Sequence, residues 1–305
     1  MDATLHSMFR PIQMNSNDHQ SYYMERMPSI ELMPYVVCYW ESGFFENRED
    51  GMLPKQGSGV PTRVLPDGCT DILITYDAAQ SKHTLSYCGN YTQPFVFNQP
   101  IGLVPLGDYT FGVRFFPGGA RSFHGLPLDT FTDLRIALEE CWPTQVDELR
   151  ERLATTNSFD ERVQVMESTL KKLSVRIPAN ELDLMKNVLH RIFSDGGSMN
   201  VQELAMREVV SERQLHRKFS DWIGISPKRF SEIVRFHRVL ASIHQKSVSD
   251  WAALAVEHGF YDQAHLIRHF RKFYGETPLT AAREHQMMMS DLYNRLDKPS
   301  VILKQ

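Results

Sequence analysis

Leu215-x-Arg217-x-Phe219, followed after four residues by Gly224-x-Ser226-Pro227, recurs as Leu266-x-Arg268-x-Phe270 and Gly275-x-Thr277-Pro278, every position displaced by 51. The register extends backward to Ser211 and Asp262, both good helix N-caps. Leu215 and Phe219, like Leu266 and Phe270, are four apart, so each pair shares one face of a helix and marks its buried side. Solenoids and propellers need three or more copies to close a core, and here there are two. The repeat therefore reads as one compact unit carrying two equivalent helices, presented to a partner that is itself periodic.

Each copy follows a shorter helix and a tight turn. The first unit reads as a helix over 201–207, a turn over 208–210 and a second helix over 211–222; the second as a helix over 250–257, a turn with His258, Gly259 and Phe260, and a helix over 262–274. The second turn is one residue longer, and Gly259 can adopt the backbone angles this requires. Helix, tight turn and helix form the unit that lays its second helix in the DNA major groove. With Leu and Phe inward, the outward faces carry Arg213, Gln214, His216 and Arg217 in one copy, and Gln263, His265, Ile267 and Arg268 in the other. Arginine suits guanine, glutamine suits adenine, and an aliphatic chain meets a thymine methyl. Lys218, Lys228, Arg229, Arg235, Arg271 and Lys272 are expected on phosphates, which position the protein without conveying sequence. Arg217 and Arg268 could instead form ordinary surface ion pairs; two capped copies with outward Arg, Gln and His favour base reading. Pro227 opens a connector whose broad apolar face holds Phe230, Ile233, Val234, His237, Val239, Leu240 and Ile243. Such a connector would direct the two reading helices into successive major grooves, roughly 34 Å apart.

At 305 residues the chain suggests about two domains. Its 42% hydrophobic and 23% charged content is ordinary for a globular protein. No apolar run is long enough to span a bilayer and residues 1–17 lack a signal-peptide pattern, so a cytoplasmic chain with no membrane partner is expected. Cys38, Cys69, Cys88 and Cys141 match no zinc or redox spacing and read as reduced, buried thiols. The net charge is −4, but residues 181–285 hold 15 Lys/Arg against 13 Asp/Glu, a net of +2, leaving −6 for the rest. Eight of the twelve histidines also fall there and are expected to add positive charge below neutral pH. This asymmetry fits a nucleic-acid domain joined to something else.

Residues 1–30 are polar and Met-rich and read as a loosely held leader. From Tyr35 onward, runs at 35–41, 63–65, 71–76, 83–87, 95–97 and 109–116 are rich in β-branched and aromatic residues. They are separated by turns at 57–59, 66–68, 98–100 and 117–119. After about Leu126 helical spacing takes over, with an amphipathic hairpin over 144–173 that either covers the sheet or pairs with a second copy to form a homodimer. The stretch 174–180, with Pro178, reads as the boundary. The expected fold is α+β in two domains: an N-terminal antiparallel β sandwich or small barrel with flanking helices over 31–174, and an all-α domain over 175–290 with two helix-turn-helix units joined by a linker helix. Residues 291–305 form a tail.

Residues 198–285 resemble the DNA-binding domain of the AraC/XylS family of bacterial transcription regulators. The segment 259–278, from Gly259-Phe260-Tyr261-Asp262 to Gly275-Glu276-Thr277-Pro278, is similar to that family's signature. It departs from it at Tyr261, where serine is usual, and at Ala264, where a small polar residue is more usual. By position the resemblance places base contacts at Arg213, His216 and Arg217, and at Gln263, Ala264, Ile267 and Arg268. It implies double-stranded promoter DNA and RNA polymerase as partners. Upstream, Pro66-Asp67-Gly68-Cys69-Thr70-Asp71-Ile72 and the segment from Gly112 to Ala120 resemble the β-rich N-terminal domain of an uncharacterised branch of the family, which implies sensing or dimerisation.

The N-terminal half offers little for catalysis. His83 and His124 stand alone, so no metal is expected, and no nucleophile or phosphate-loop pattern calls for an enzyme or a cofactor. Glu41, Asp67, Asp71 and Arg114 could line a polar pocket for a small-molecule effector, although an Asp beside Gly, as at Asp67, more commonly caps a turn. The combined reading is a sequence-specific transcription regulator controlled at its N-terminal domain. The alternative is a small-molecule-binding or enzymatic β-barrel with an accessory DNA-binding domain.

Overall fold

The computed structural model describes residues 3–12, 21–44, 62–97, 107–175, 177–245 and 250–285. Its strands are β1 (Ser21–Arg26), β2 (Val36–Phe44), β3 (Thr62–Val64), β4 (Thr70–Asp77), β5 (Lys82–Cys88), β6 (Phe95–Phe97), β7 (Tyr109–Phe115) and β8 (Arg135–Ala137). The helices are α1 (Ala3–Met8), α2 (Arg121–His124), α3 (Val146–Ala154), α4 (Phe159–Leu173), α5 (Ala179–Asp195), α6 (Val201–Arg207), α7 (Glu212–Ile223), α8 (Pro227–Gln245), α9 (Trp251–Glu257), α10 (Gln263–Tyr274) and α11 (Pro278–His285). The turns expected at 57–59 and 98–100 and the tail at 291–305 lie outside the described residues.

All six expected strands form, and β1 and β8 add the two edges of an antiparallel sheet ordered β1-β2-β7-β4-β5-β8. A separate ribbon pairs β3 with β6. Successive side chains of a strand point to opposite faces, so the sheet has two buried sides to satisfy. On one side Tyr39, Ile72, Ile74, Phe111 and Val113 pack against Leu149 and Leu153 of α3 and Val163, Met166 and Leu170 of α4. The Arg162 guanidinium of α4 reaches through this layer to Glu41, donating at 2.6 and 2.8 Å, and lies 4.2 Å over the Tyr109 ring. The α3–α4 hairpin is therefore the cover of the sheet. Its apolar stripe is already used, which leaves a second copy only the polar outer surface.

On the other side the C-terminal domain meets the start of β2 and the residue that follows β7. Val37, Cys38, Leu65 and Phe116 share one continuous core with Leu189 and Phe193 of α5, Phe219 of α7 and Phe230 of α8. Gly68 takes a positive φ of 77° in the turn after β3, and a Cβ there would stand 2.4 Å from the Phe230 ring. Only glycine lets this turn press so closely on the connector helix. The two domains are thus distinct in topology and joined in packing.

Two features differ from the sequence reading of a loose leader over 1–30. Residues 21–26 are edge strand β1, and Leu5, Phe9 and Ile12 are buried in the shared core. Phe9 stacks on Phe193 at 4.8 Å and meets the edge of Phe230 at 6.0 Å. The physical reason is coverage: the seam between sheet and helices has an apolar gap, and residues 3–12 fill it. His237 of α8 fastens this segment. Its Nδ1 accepts from the Ile12 N–H at 3.1 Å, so its Nε2 carries the proton that it donates to the Pro66 carbonyl at 2.9 Å.

Two outcomes follow. Phe9→Ala should destabilise the chain by about 3–5 kcal/mol and shift the unfolding of both domains together in denaturant titration; an unchanged C-terminal transition would contradict the shared core. Burial pushes the His237 imidazole down from 6.5 to about 4, and protonated Nδ1 would face the Ile12 N–H donor. The unfolded chain therefore binds the proton first, so the contribution is complete above pH 6.5 and is lost as pH falls toward 4. Melting temperature against pH should drop across that window, and less steeply for His237→Gln; parallel curves would remove the assignment.

Candidate nucleic-acid interface

Both second helices form where their caps place them. The Ser211 hydroxyl accepts from the Gln214 N–H at 3.2 Å while the Gln214 side-chain oxygen accepts from the Ser211 N–H at 3.0 Å, a reciprocal box that satisfies two otherwise orphaned donors. At α10 the Asp262 carboxylate accepts from the His265 N–H at 2.6 Å, and an anion at this end also suits the helix dipole. Leu215, Phe219, Leu266 and Phe270 are wholly buried, so the inward faces are as the spacing requires.

The outward faces are mixed. Arg213, His216 and Arg217 are exposed and, with Val201 and Glu212, rim an open depression beside α7. Gln263, Ala264 and Arg268 are exposed on α10. Arg213, Arg217 and Arg268 form no ion pair among the described residues. Three other expected readers are partly committed to structure. Gln214 is held in the capping box, His265 meets Phe260 edge-on at 5.3 Å, and Ile267 is half-buried against the core.

The expected phosphate contacts divide in the same way. Lys228 and Arg271 are exposed. Lys218 pairs with Glu181 and Lys272 with Glu232, each at 2.6 Å, surface pairs that are cheap to exchange. Arg229 and Arg235 face inward: Arg229 donates to the Thr92 carbonyl and lies 4.4 Å over Phe273, and Arg235 donates to the Gly197 carbonyl at 2.6 Å. The histidines also differ from expectation. Burial pushes His237, His244 and His269 down to about 4 and lowers His258, so these four do not charge near neutrality.

In the N-terminal domain the four candidate effector residues do not meet. Arg114 pairs with Asp71 at 3.2 Å and Asp67 at 3.5 Å, and burial pushes the Asp71 carboxyl up while Arg114 opposes the shift. Asp67 also caps its turn, accepting from the Cys69 N–H at 2.8 Å. Glu41 stands on the opposite face of the sheet, bound to Arg162 and Tyr22. The pairing Cys38↔Arg114 explains the split, because Glu41 is three residues along β2 and so points the other way. A pocket of all four is therefore corrected to a buried Arg114–Asp67–Asp71 cluster and a separate Glu41–Arg162 pair. Among the described residues no group of three or more His, Cys, Asp or Glu is placed to hold a metal ion, and no helix is long and apolar enough to cross a membrane.

The sequence reading missed the N-terminal side chains that touch the two units. Arg63, Asn90, Arg121 and Thr132 each donate to a carbonyl of α7, α10 or their C-caps. Arg63, a charged residue in the three-residue strand β3, was a signal available in the sequence.

Two capped second helices on one buried scaffold, with arginines left free on their outward faces, define a helix-turn-helix DNA-binding protein with a β-rich domain attached. Residues 204–284 match the family described as a helix-turn-helix domain (HTH_18), and residues 24–137 match a domain of unknown function (DUF6597). The chain carries an AraC-type helix-turn-helix domain behind that N-terminal domain. No curated protein sequence matches it. Among solved structures, ToxT from Vibrio cholerae is similar at 11% identity and a TM-score of 0.40, over 89% of this chain and 98% of that one. ToxT bound to (E)-4-(8-methylnaphthalen-1-yl)but-3-enoic acid aligns at 12% identity and a TM-score of 0.37, covering 90% and 99%. Wild-type ToxT bound to an unsaturated fatty acid aligns at 11% and 0.36, covering 92% and 96%.

One turn carries strain. Val209 sits at φ 55° where its counterpart is Gly259 at φ 71°, and its side chain is 92% exposed, so no packing compensates. Val209→Gly should relieve about 1–2 kcal/mol of left-handed strain, offset by roughly 0.5–1 kcal/mol of added chain entropy. A slightly raised melting temperature is expected; a lowered one would show that the valine is not strained.

Proposed function

We propose that the chain is a sequence-specific transcription regulator whose α7 and α10 read two dissimilar half-sites in successive major grooves of promoter DNA, under control of a signal or partner at the N-terminal domain. The observation that supports this most directly is the pair of equivalent arginines, Arg217 and Arg268. Both are exposed on capped helices whose inward faces are fixed by Leu and Phe at the repeat spacing. An exposed guanidinium presents two parallel donors that match the acceptors of guanine in the major groove. Arg213, His216, Gln263 and Ala264 stand beside them, so the two frames are alike and their outward chemistry differs. Lys228, Arg271, Lys218 and Lys272 supply phosphate contacts, the last two after exchanging a surface carboxylate. RNA polymerase and a second copy of the chain complete the proposed set of partners.

The test uses the full chain and a duplex that it selects from a random-sequence pool. Arg217→Ala and Arg268→Ala should each weaken specific binding by roughly 1–3 kcal/mol while weak binding to unrelated DNA survives. Wild-type binding should fall steeply with salt as counterions are released. Unchanged affinity in both variants would reject the assigned roles, and failure to enrich any sequence would reject specific reading.

A further inference from the structure

Both helices end against the N-terminal domain, and they do so at matching atoms. In the first unit the Asn90 side-chain amide donates to the carbonyl of Ile223. In the second the Arg63 guanidinium donates to the carbonyl of Tyr274 at 3.1 Å. Ile223 and Tyr274 are separated by the repeat offset of 51, so the same carbonyl of each copy is captured from outside the C-terminal domain. Each lies just before the left-handed glycine that ends its helix, Gly224 or Gly275. Last-turn carbonyls lack intrahelical donors and carry the negative end of the helix dipole, so both an amide and a guanidinium suit them.

The two grips differ in redundancy. At α7, Thr132 also donates to the Gly224 carbonyl, and Arg121 reaches the Asp221 carbonyl at 3.2 Å while lying 5.6 Å over Trp222. At α10 the grip centres on Arg63. Its guanidinium lies 4.8 Å over the Tyr274 ring and pairs with Glu284 of α11 at 3.5 Å. Glu284 in turn accepts from the Tyr274 hydroxyl at 2.6 Å. Gly275 permits the approach, since a Cβ there would stand 3.1 Å from Arg63 Nη1. Arg63 is itself buried and rides on the β3–β6 ribbon rather than on the main sheet.

We propose that Arg63 is a positioning residue for DNA reading. From the N-terminal domain it fixes α10 relative to α7, so that both half-sites meet one preset frame. The proposal rests on the reading of α7 and α10 as base-reading helices. Without Arg63, α10 keeps Leu266, Phe270 and Phe273 in the core and stays folded, but its C-terminal end loses its hold. Directional contacts at Arg268 tolerate only about 0.5 Å of displacement, so the loss is felt at the second half-site.

The probe is a duplex of about 30 base pairs selected from a random pool by the wild-type chain, with each half then scrambled in turn. The half read by α10 is the one whose scrambling abolishes the effect of Arg268→Ala. Arg63→Ala should bind the intact duplex roughly tenfold or more weakly, yet match wild type on the duplex whose α10 half is scrambled. Arg63→Lys, which keeps a cation at the helix end, should recover part of the loss. If Arg63→Ala does not fold, as judged by thermal melting, Arg63→Gln carries the same comparison. Intact-duplex affinity that is unchanged or higher overturns the proposal, as does an equal loss on both half-scrambled duplexes. A wild-type chain that selects no bipartite site removes the base-reading proposal and this one with it.

Discussion

Phe230 of the connector helix touches Phe9 of the N-terminal segment, Phe193 of α5 and Phe219 of α7, and presses on the Gly68 turn of the β domain. That one ring stands where the two halves of the chain become a single core. Burying an aromatic side chain removes on the order of 2–3 kcal/mol of unfavourable water contact, and here the ring is shared by both domains. Without the helices, Val37, Cys38, Leu65 and Phe116 of the β domain would be left as an exposed apolar patch. The helices would expose the same kind of patch without the sheet. Mutual coverage, rather than the loop between α4 and α5, sets where the DNA-binding domain sits.

A DNA reader needs its two helices at a fixed separation, because the grooves of the duplex are at a fixed separation. Helix α8 supplies part of that rigidity from within the C-terminal domain. The side chains of Asn90, Arg121, Thr132 and Arg63 add restraint from outside, at the carbonyl ends of α7 and α10, and leave the outward arginines free. The repeated Leu, Phe, Gly and Pro positions are scaffold and must be alike in both copies. Arg213 and His216 against Gln263 and Ala264 are where the exposed faces of the copies differ, and the proposed reading assigns specificity to those differences.

The repeat and its inward faces could be read from sequence because helical spacing alone decides which side of a short capped helix is buried. The four central strands of the sheet and the β3–β6 ribbon could be read for a similar reason, since β-branched and aromatic runs bounded by turns leave few alternatives. Residues 3–12 were hidden by their composition, although Leu5, Phe9 and Ile12 do follow a helical spacing. The fate of Glu41 was not legible because the face of a β-strand residue is fixed only once register is known, and register comes from the partner strand. Arg229, Arg235 and the buried histidines were misjudged for a further reason. Whether a cation faces solvent or closes an internal carbonyl depends on contacts that lie far away in sequence. Gln214 shows the limit at short range, where the same amide that suits adenine also suits a capping box.

We propose that the two reading helices form one rigid frame matched to one turn of DNA. The most direct measurement is the affinity of the full chain for its selected duplex as base pairs are inserted one at a time between the two half-sites. A rigid frame should give a sharp optimum near one helical turn, about 10 base pairs from centre to centre, with affinity falling roughly tenfold or more at a half-turn insertion and recovering little thereafter. Affinity that stays flat across a full turn of inserted base pairs would contradict it.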